Sequence, residues 1–525
     1  MSAFLLLLLL GAEPAAPDTV VVCPATFRQT LQPWVEHRTR QGRVLAFVSN
    51  TGSPEEIRGK IRDAAKRGQL RFVVLVGDAE PAMYTDPALR ARCVPPHYAK
   101  AKVNVLWRSP PHIATDNWYA DLDDDDSPDV AIGRLTADSP EELRQIVAKI
   151  LAYERSTDVG SWRRQLNLVA GIGGFGALAD TVIESGARYF ITQNIPAAYR
   201  VSMTYGSWRS PYCPDPRSFQ EAAIERLNEG ALFWVYIGHG HHLSVDRLRV
   251  PDGEYPIFES QDVAKLACRH SAPIAVFLAC HTGAIDATSD CLAEQMLRQP
   301  GGPVAILAGS RVTMPYGMSV MSIGLLDEVF NKHCETVGEA VLHAKQRMLK
   351  EPAAGDRQRT MLDGIAAAIS PAPKMLAEER AEHVQMFNLI GDPLLRIRHP
   401  KPIALDVPAT AAAGKPLKIT GTCPIDGRGT VELAVERGRL TFRPPPRSEY
   451  PKTAAGLAEF QETYRKANDQ RLVSVPMTVS GGRFEVQLDV PAEAAGACHV
   501  CAFVEGDRDF ALGAANVKIE GKDSR

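Results

Sequence analysis

A histidine and a cysteine each stand at the end of a run of large apolar residues. His239 follows the run 234–237 and Gly238, and Cys280 follows the run 274–279. Continuous apolar runs of this kind are typical of strands buried in a parallel sheet, and ligands of open α/β sheets bind beyond the carboxyl ends of the strands. If the two strands are neighbours, an imidazole and a thiol meet at one edge of the sheet. A cysteine nucleophile and its general base require this arrangement.

The glycine after the histidine adds a second chemical feature. Gly240 has no side chain, so its backbone N–H can approach a substrate carbonyl closely. We predict that this N–H and the N–H of Cys280 form an oxyanion hole. One donor of such a site stabilises the transition state by roughly 3–4 kcal/mol. Taken singly, His239 fits an ordinary turn histidine and Cys280 an inert buried thiol. Their matching positions at two strand ends favour catalysis.

The histidines around the same strand ends also allow a metal hypothesis. His239, His241 and His242 are close in sequence, and His281 follows Cys280. Histidine and cysteine are common zinc ligands. No carboxylate partner or second spaced ligand pair accompanies them in the sequence. A zinc-dependent hydrolase is therefore kept only as an alternative.

A run of aspartates at 121–129 indicates a site for a hard cation. Asp121, Asp123, Asp125 and Asp129 follow the pattern D-x-D-x-D-x-x-x-D. The run is not an EF-hand, because the glycine at its sixth position and the glutamate at its twelfth are both missing. We predict a structural calcium at Asp121, Asp123 and Asp125, with a solvated acidic loop as the alternative. The predicted catalysis requires no cofactor.

Size and composition limit the classes of protein that the chain can belong to. With 525 residues, the chain is long enough for two to four domains. Its 45% apolar and 23% charged residues are typical of globular proteins. A net charge of −3 offers no basic footprint, so no nucleic-acid partner is predicted.

The first residues suggest a targeting segment. The leucine-rich stretch 4–10 is too short for a membrane span and has the length of a signal-peptide core. We therefore predict a signal peptide at 1–17 and export to the periplasm, the cell surface or the medium. A misassigned start codon or a buried first strand is the alternative. No later stretch is predicted to span a membrane.

Strand and helix signals divide the chain into three regions. They alternate over 18–156 and again over 157–398, which indicates mostly parallel sheets with helices on both faces. Both candidate catalytic residues fall in the second region. Residues 399–525 show short alternating strands among turns, which predicts a β-sandwich of about immunoglobulin size.

Several short motifs accompany the Gly-His-Gly and Ala-Cys strand ends. They lie at 75–78 (Leu-Val-Gly-Asp), 115–119 (Thr-Asp-Asn-Trp-Tyr), 129–134 (Asp-Val-Ala-Ile-Gly-Arg), 153–155 (Tyr-Glu-Arg), 302–308 (Gly-Pro-Val-Ala-Ile-Leu-Ala) and 389–393 (Leu-Ile-Gly-Asp-Pro). Together and in this order, the motifs resemble those of the gingipain-type cysteine peptidases, which have a caspase-like fold. The resemblance covers 18–398, and 399–525 resembles the immunoglobulin-like domain that follows gingipain catalytic domains.

The resemblance implies an architecture and an activity. The fold class would be α/β, with two caspase-like α/β subdomains, 18–156 and 157–398, followed by an immunoglobulin-like sandwich. The activity would be that of a cysteine endopeptidase acting on a peptide or protein substrate. Cys280 would attack the scissile carbonyl, and His239 would protonate the leaving amine.

Other features of the resemblance stay open. Asp116 is a candidate for orienting His239 or shaping the substrate pocket, or else an acid that caps a loop. The stretches 281–284 and 309–318 depart from the family. A preference for arginine or lysine before the scissile bond is therefore not carried over. The alternatives to a peptidase are a non-catalytic caspase-like binding protein and the zinc-dependent hydrolase.

Overall fold

The computed structural model describes residues 15–172, 194–268, 271–451 and 453–521. Most of the predicted leader, 1–17, lies outside these ranges, so export stays a prediction. None of the helices in the described ranges combines the length and apolar character that a membrane span needs.

One ten-stranded sheet forms the centre of the molecule. In sheet order its strands are β2 (Leu45–Val48), β1 (Thr19–Val22), β3 (Phe72–Val76), β6 (Ala131–Leu135), β14 (Phe387–Ile390), β13 (Ala305–Gly309), β12 (Ile274–Leu278), β9 (Phe233–Ile237), β7 (Gln165–Ala170) and β8 (Arg200–Tyr205). All neighbours are parallel except β13 and β14. The central strands are apolar and buried along their whole length, as expected of a sheet covered on both faces.

Strand β14 joins the two predicted α/β regions. It lies between β6 of the first region and β13 of the second, parallel to β6 and antiparallel to β13. Among the strands of this sheet β14 comes last in the chain, so the polypeptide returns from the second region to lie beside β6. The regions 18–156 and 157–398 therefore share one continuous sheet.

Helices alternate with the strands. In the described residues they are α1 (Gln32–Arg40), α2 (Pro54–Ala65), α3 (Pro87–Arg90), α4 (Pro140–Arg155), α5 (Phe219–Asn228), α6 (Leu292–Arg298), α7 (Pro315–Phe330), α8 (Val337–Leu349), α9 (Arg357–Ile369), α10 (Leu376–Met386) and α11 (Ala454–Ala467). Ser53 and Ser139 cap α2 and α4 by accepting a backbone N–H, and each is followed by proline. A capping serine before proline fixes where a helix begins.

Two antiparallel pairs stand apart from the large sheet. They are β4 (His97–Lys100) with β5 (His112–Thr115), and β10 (Arg247–Val250) with β11 (Gly253–Pro256). The first pair lies against the segment that follows β13. There the Ser310 hydroxyl donates to the carbonyl of Ala114 (2.7 Å), and Arg311 Nε donates to the carbonyl of His112 (2.7 Å).

The C-terminal region consists of two sheets around one core. Its strands are β15 (Lys401–Pro402), β16 (Ala404–Asp406), β17 (Thr410–Ala412), β18 (Pro416–Thr422), β19 (Gly427–Val435), β20 (Arg471–Val479), β21 (Arg483–Asp489), β22 (Gly496–Glu505) and β23 (Phe510–Glu520). Strands β16, β18 and β21 form the smaller sheet, and the others form the larger one. Ile419 and Leu488 of the smaller sheet share a core with Val431 and Val500 of the larger. Two sheets enclose one core, as predicted, while the immunoglobulin-like topology stays a prediction.

The ten cysteines all lie in the described ranges, and all are free thiols. The sequence left open a bridge among Cys423, Cys498 and Cys501, and the structure forms none. Instead, the buried thiol of Cys501 donates to the carbonyl of Ala197 (3.3 Å).

Helix α11 and the turn after it fasten the C-terminal region to edge strand β8. The Tyr464 hydroxyl is hydrogen-bonded to the Thr204 hydroxyl (2.7 Å) and accepts from Arg226 Nε (2.8 Å). The Asn468 side chain accepts from the N–H of Met203 (2.7 Å) and donates to its carbonyl (3.0 Å). The contacts of Asn468 satisfy backbone groups that an edge strand would otherwise expose.

Tyr464→Phe tests this attachment. Loss of the hydroxyl leaves the buried Thr204 hydroxyl and Nε of the partly buried Arg226 without this partner, which should lower the free energy of unfolding by about 1–3 kcal/mol. Thermal unfolding followed by circular dichroism measures the effect as a lower Tm. The control is Tyr84→Phe, because Tyr84 is 56% exposed and its variant should unfold like the wild type. An unchanged Tm in Tyr464→Phe would contradict the attachment.

Candidate active site

Strands β9 and β12 are neighbours, and their carboxyl ends lie side by side. Their parallel register places Ile237 opposite Leu278, and the Gly238 N–H donates to the Leu278 carbonyl (3.2 Å). His239 is two residues after Ile237, and Cys280 is two residues after Leu278. The sheet thus brings both predicted catalytic residues to the same edge.

Gly240 packs directly against the backbone of Cys280. A Cβ at position 240 would lie 2.5 Å from the carbonyl oxygen of Cys280 and 2.9 Å from the Cβ of Ala279. Glycine is therefore required for this approach. Within the described ranges, no backbone acceptor receives the N–H of Gly240 or of Cys280. Two donors at adjoining strand ends fit the predicted oxyanion hole.

A buried tyrosine supports the histidine loop from within the sheet. The Tyr236 hydroxyl donates to the carbonyl of His239 (3.1 Å) and accepts from the N–H of Asp246 (3.2 Å). Gly238 has a φ of +156°, and a Cβ there would lie 2.7 Å from this hydroxyl. Tyr236 therefore fixes the backbone that carries His239. In the sequence, Tyr236 is only one of the large residues of the run 234–237.

The sulfur of Cys280 is half-buried and faces the segment that follows β13. The Thr313 N–H donates to Sγ (3.3 Å), and the Thr313 hydroxyl lies 3.7 Å from it. These contacts hold the thiol in one orientation. Burial raises the pKa of Cys23, Cys213 and Cys268 to about 12, which makes those thiols poor nucleophiles at neutral pH.

The residue after the cysteine has an unusual backbone conformation. His281 has a φ of +58°, a left-handed value that costs a residue other than glycine of order 1–3 kcal/mol. Its N–H donates to the carbonyl of Arg311 (3.1 Å), and the Gly283 N–H donates to the carbonyl of Gly309 (3.0 Å). Burial and the nearby Arg311 guanidinium lower the pKa of His281. The surrounding chain thus maintains a sharp turn directly after Cys280.

A buried histidine of α10 holds the segment that contacts Cys280. His383 Nε2 accepts the N–H of Met314 (2.9 Å), and Nδ1 is hydrogen-bonded to the carbonyl of Glu379 (2.7 Å). A Cβ at Gly317 would lie 2.4 Å from the His383 ring, and the Gly317 N–H donates to the Glu379 carboxylate (3.1 Å). No pattern in the sequence indicates this role, because α10 is distant in sequence from both strand ends.

Residues 12–398 match the sequence model of peptidase family C25. The chain belongs to this family. Gingipain R2 of Porphyromonas gingivalis is 22% identical over 409 residues, which cover 75% of this chain and 47% of that protein. Lys-gingipain HG66 of the same organism is 24% identical over 292 residues, which cover 53% of this chain and 15% of that protein. Less than half the length of either relative is thus matched.

Solved structures show the fold of this C25 family member. The crystal structure of the Arg-specific cysteine proteinase gingipain R aligns with a TM-score of 0.53 and 17% identity, over 96% of this chain and 98% of that one. The complex of Porphyromonas gingivalis RgpB pro- and mature domains aligns with a TM-score of 0.54 and 16% identity, over 96% and 100%. These similarities confirm the predicted caspase-like α/β fold.

Asp116 has a structural partner away from the two strand ends. Its carboxylate oxygens accept from Arg134 Nε (2.8 Å) and Nη2 (2.6 Å), and both residues are buried. Burial lowers the pKa of Arg134, but the Asp116 carboxylate outweighs it and the pKa is raised. Strands β14, β13 and β12 separate β6, which carries Arg134, from β9, a span of roughly 19 Å. This ion pair supports a structural role for Asp116, and its roles in orienting His239 or shaping the substrate pocket stay predictions.

The aspartate run of this family member brings together a different trio from the one expected. Carboxylate oxygens of Asp121, Asp123 and Asp129 lie within 4.8 Å of one another. The carboxylate of Asp125 instead accepts the N–H of Ser127 (2.8 Å). The expected ligand set is therefore corrected by exchanging Asp125 for Asp129. The three converging carboxylates suit a hard cation such as calcium.

Two arginines of α2 face the same run. Arg58 contacts Asp121 (3.1 Å) and Asp124 (2.7 Å), and Arg62 contacts Asp124 (2.7 Å). Hydrogen bonds from Arg62 and Arg58 lower the pKa of Asp124 to about 2. The arginines therefore neutralise part of the run, while two members of the converging trio, Asp123 and Asp129, have no ion pair in the described structure.

The histidines near Cys280 do not form a cluster of metal ligands. In the described residues, groups of His, Cys, Asp or Glu converge at three places, and none of these includes His239, His241, His242 or His281. A zinc site needs three or four converging ligands. The geometry therefore does not favour the zinc-dependent hydrolase.

The support from His383 predicts an acid-sensitive segment. Burial lowers the pKa of His383 from 6.5 to about 4. In the unfolded chain the ring binds a proton below about pH 6.5, whereas in the folded chain it stays neutral. Its contribution to stability is thus complete above that pH and is lost as the pH falls toward 4, by up to roughly 3 kcal/mol.

His383→Gln isolates this contribution. Glutamine can still accept the Met314 N–H but does not titrate, so the variant should lose less stability between about pH 6.5 and 4 than the wild type. Urea denaturation across this range measures the difference. Burial raises the pKa of Glu379 to about 7. Proton binding by Glu379 stabilises the folded chain as the pH falls and so opposes the effect of His383. The test therefore compares the variant with the wild type. His112→Gln, which changes an exposed histidine, is the control. If the free energy of unfolding depends on pH equally in the wild type and in His383→Gln, the account is contradicted.

Proposed function

We propose that this chain is a cysteine endopeptidase that hydrolyses peptide bonds with Cys280 as nucleophile and His239 as general acid and base. The observation that supports this most is the in-register pairing of β9 with β12. It brings the segment after β9, which carries His239, into contact with the segment after β12, which carries Cys280. The imidazole would take the thiol proton, and the thiolate would attack the scissile carbonyl to form an acyl-enzyme. The same imidazole would then protonate the leaving amine.

The surrounding backbone would stabilise the charge that develops in this reaction. The N–H groups of Gly240 and Cys280 would donate to the oxyanion of the tetrahedral intermediate. The substrate would lie across the strand ends, against the segment that Thr313 and Met314 belong to. Water would complete the cycle by hydrolysing the acyl-enzyme, with His239 as base.

The relatives support a peptide or protein substrate without fixing which one. One relative is named Lys-gingipain and one solved structure is that of the Arg-specific cysteine proteinase gingipain R. Neither residue preference is assigned to this chain. Near Cys280, Arg311 holds the carboxylate of Asp286 through two hydrogen bonds (2.8 and 2.6 Å). This acid is therefore already neutralised and is not assigned to bind a basic substrate residue.

Export is part of the proposal. The leucine-rich stretch 4–10 has the length of a signal-peptide core, and peptidases of this kind would act on proteins outside the cell. N-terminal sequencing of the protein recovered from the producing cells would show whether the leader is removed.

Cys280→Ala tests the catalytic proposal. It should abolish cleavage of a peptide library while leaving the Tm nearly unchanged, because a half-buried thiol contributes little packing. Cys334→Ala is the matched control, since Cys334 is also a half-buried free thiol, and it should retain activity. Substantial cleavage by Cys280→Ala would reject the nucleophile. A wild type that cleaves no peptide would favour a non-catalytic binding protein.

We also propose that Asp121, Asp123 and Asp129 hold a structural calcium. A chelator should then lower the Tm, and calcium should restore it by mass action on the folded state. Asp123→Asn should remove this dependence, whereas Asp63→Asn, which changes an exposed aspartate of α2, should leave it intact. Identical melting curves with chelator and with calcium would identify the run as a solvated acidic loop.

A further inference from the structure

A polar cavity of about 410 Å³ lies between the large sheet and the C-terminal region. One side is formed by residues from 161–165, 197–202 and 226–230, and the other by residues from 432–434, 465–471 and 501. Five arginines and only three carboxylates line it. The volume falls within the roughly 300–1,000 Å³ of small-molecule sites. The cavity therefore combines space with an excess of positive charge.

Two guanidiniums in this cavity share one carboxylate oxygen. Glu432 Oε1 accepts from Arg164 Nη2 (3.2 Å) and from Arg200 Nη2. Arg164 and Glu432 are only 2% and 3% exposed, so solvent screens this group weakly. Burial and the neighbouring Arg200 charge lower the pKa of Arg164 in spite of Glu432. One negative charge thus faces two positive charges across the interface.

Several donors of these arginines have no acceptor. Nε and Nη1 of Arg164 and Nε of Arg200 are buried without a hydrogen-bond partner in the described structure. The Arg164 guanidinium lies over the ring of Phe503, 4.5 Å from the ring centroid. This contact holds the guanidinium in place but provides no acceptor for the N–H groups in the guanidinium plane. Buried charged donors are costly when unpaired, and such groups in native proteins often mark a bound ion or water.

We propose that this cavity binds a small oxyanion of the phosphate or sulfate type, with Arg164 and Arg200 as its charged donors. Guanidinium groups bind such oxygens with paired N–H donors. The anion supplies the acceptors that Glu432 alone does not, and it bridges the large sheet and the C-terminal region. Because it binds the folded state only, it stabilises the attachment between them. The proposal does not depend on the peptidase activity.

Titration calorimetry and thermal unfolding test the site on the full chain. Phosphate and sulfate are compared with chloride and acetate at equal ionic strength. We expect a saturable heat of binding and a saturable rise in Tm with phosphate or sulfate. Chloride and acetate should give neither. Both oxyanions also stabilise proteins generally by exclusion from the surface, so the variants decide the result.

Arg200→Gln should weaken phosphate binding at least about tenfold, because charge-assisted bonds from a guanidinium are strong. Arg428→Gln removes an equal charge from an exposed position on β19 and should bind phosphate like the wild type. Glu432→Gln removes the competing carboxylate, so it should lower the Tm without phosphate yet bind phosphate more tightly. Equal Tm rises in wild type and Arg200→Gln, or weaker phosphate binding by Glu432→Gln, would overturn the proposal.

Discussion

The parallel pairing of β9 with β12 is the interaction on which the candidate active site depends. Its register is set by the packing of buried side chains, because a slip of one residue would move every side chain of a strand to the opposite face of the sheet. Trp234 of β9 and Phe277 of β12 pack with ring centroids 5.5 Å apart, and both are buried in the core. The burial of these rings therefore decides that His239 and Cys280 emerge at the same level of the sheet edge.

Beyond the strand ends, individual contacts take the place of the regular hydrogen bonding of the sheet. The Tyr236 hydroxyl holds the histidine loop. The Thr313 N–H orients the thiol of Cys280, and His383 in turn holds the residue after Thr313. These supports come from three elements, so the site depends on the packing of the whole α/β region. Strand β14 completes that packing by joining the two halves of the sheet.

The sequence predicts the features that depend on local pattern. The apolar runs before His239 and Cys280, each broken at once by small residues, mark buried strands whatever surrounds them. The place of β14 depends instead on partners far away in sequence, and the four residues Phe-Asn-Leu-Ile of this strand do not indicate which strands lie beside it. The roles of Thr313 and His383 were missed for the same reason.

The aspartates show why residue type alone misleads. The sequence offers Asp116 as an acid that orients His239, shapes the pocket or caps a loop, but it does not show that the fold brings a buried Arg134 to both of its oxygens. In the aspartate run, residues 124 and 126 have left-handed φ values of 68° and 64°, which change the direction of the chain on either side of Asp125. Spacing in the sequence therefore does not give the spacing of the carboxylates.

The central claim is that His239 and Cys280 act as a pair. The most direct measurement is the rate of alkylation of Cys280 by iodoacetamide between about pH 5 and 8 in the wild type and in His239→Ala, followed by mass spectrometry of the labelled peptide. An adjacent imidazolium favours the thiolate, so the account predicts markedly slower alkylation in the variant near neutral pH. Identical rate profiles for the two proteins would show that the residues do not interact and would contradict the account.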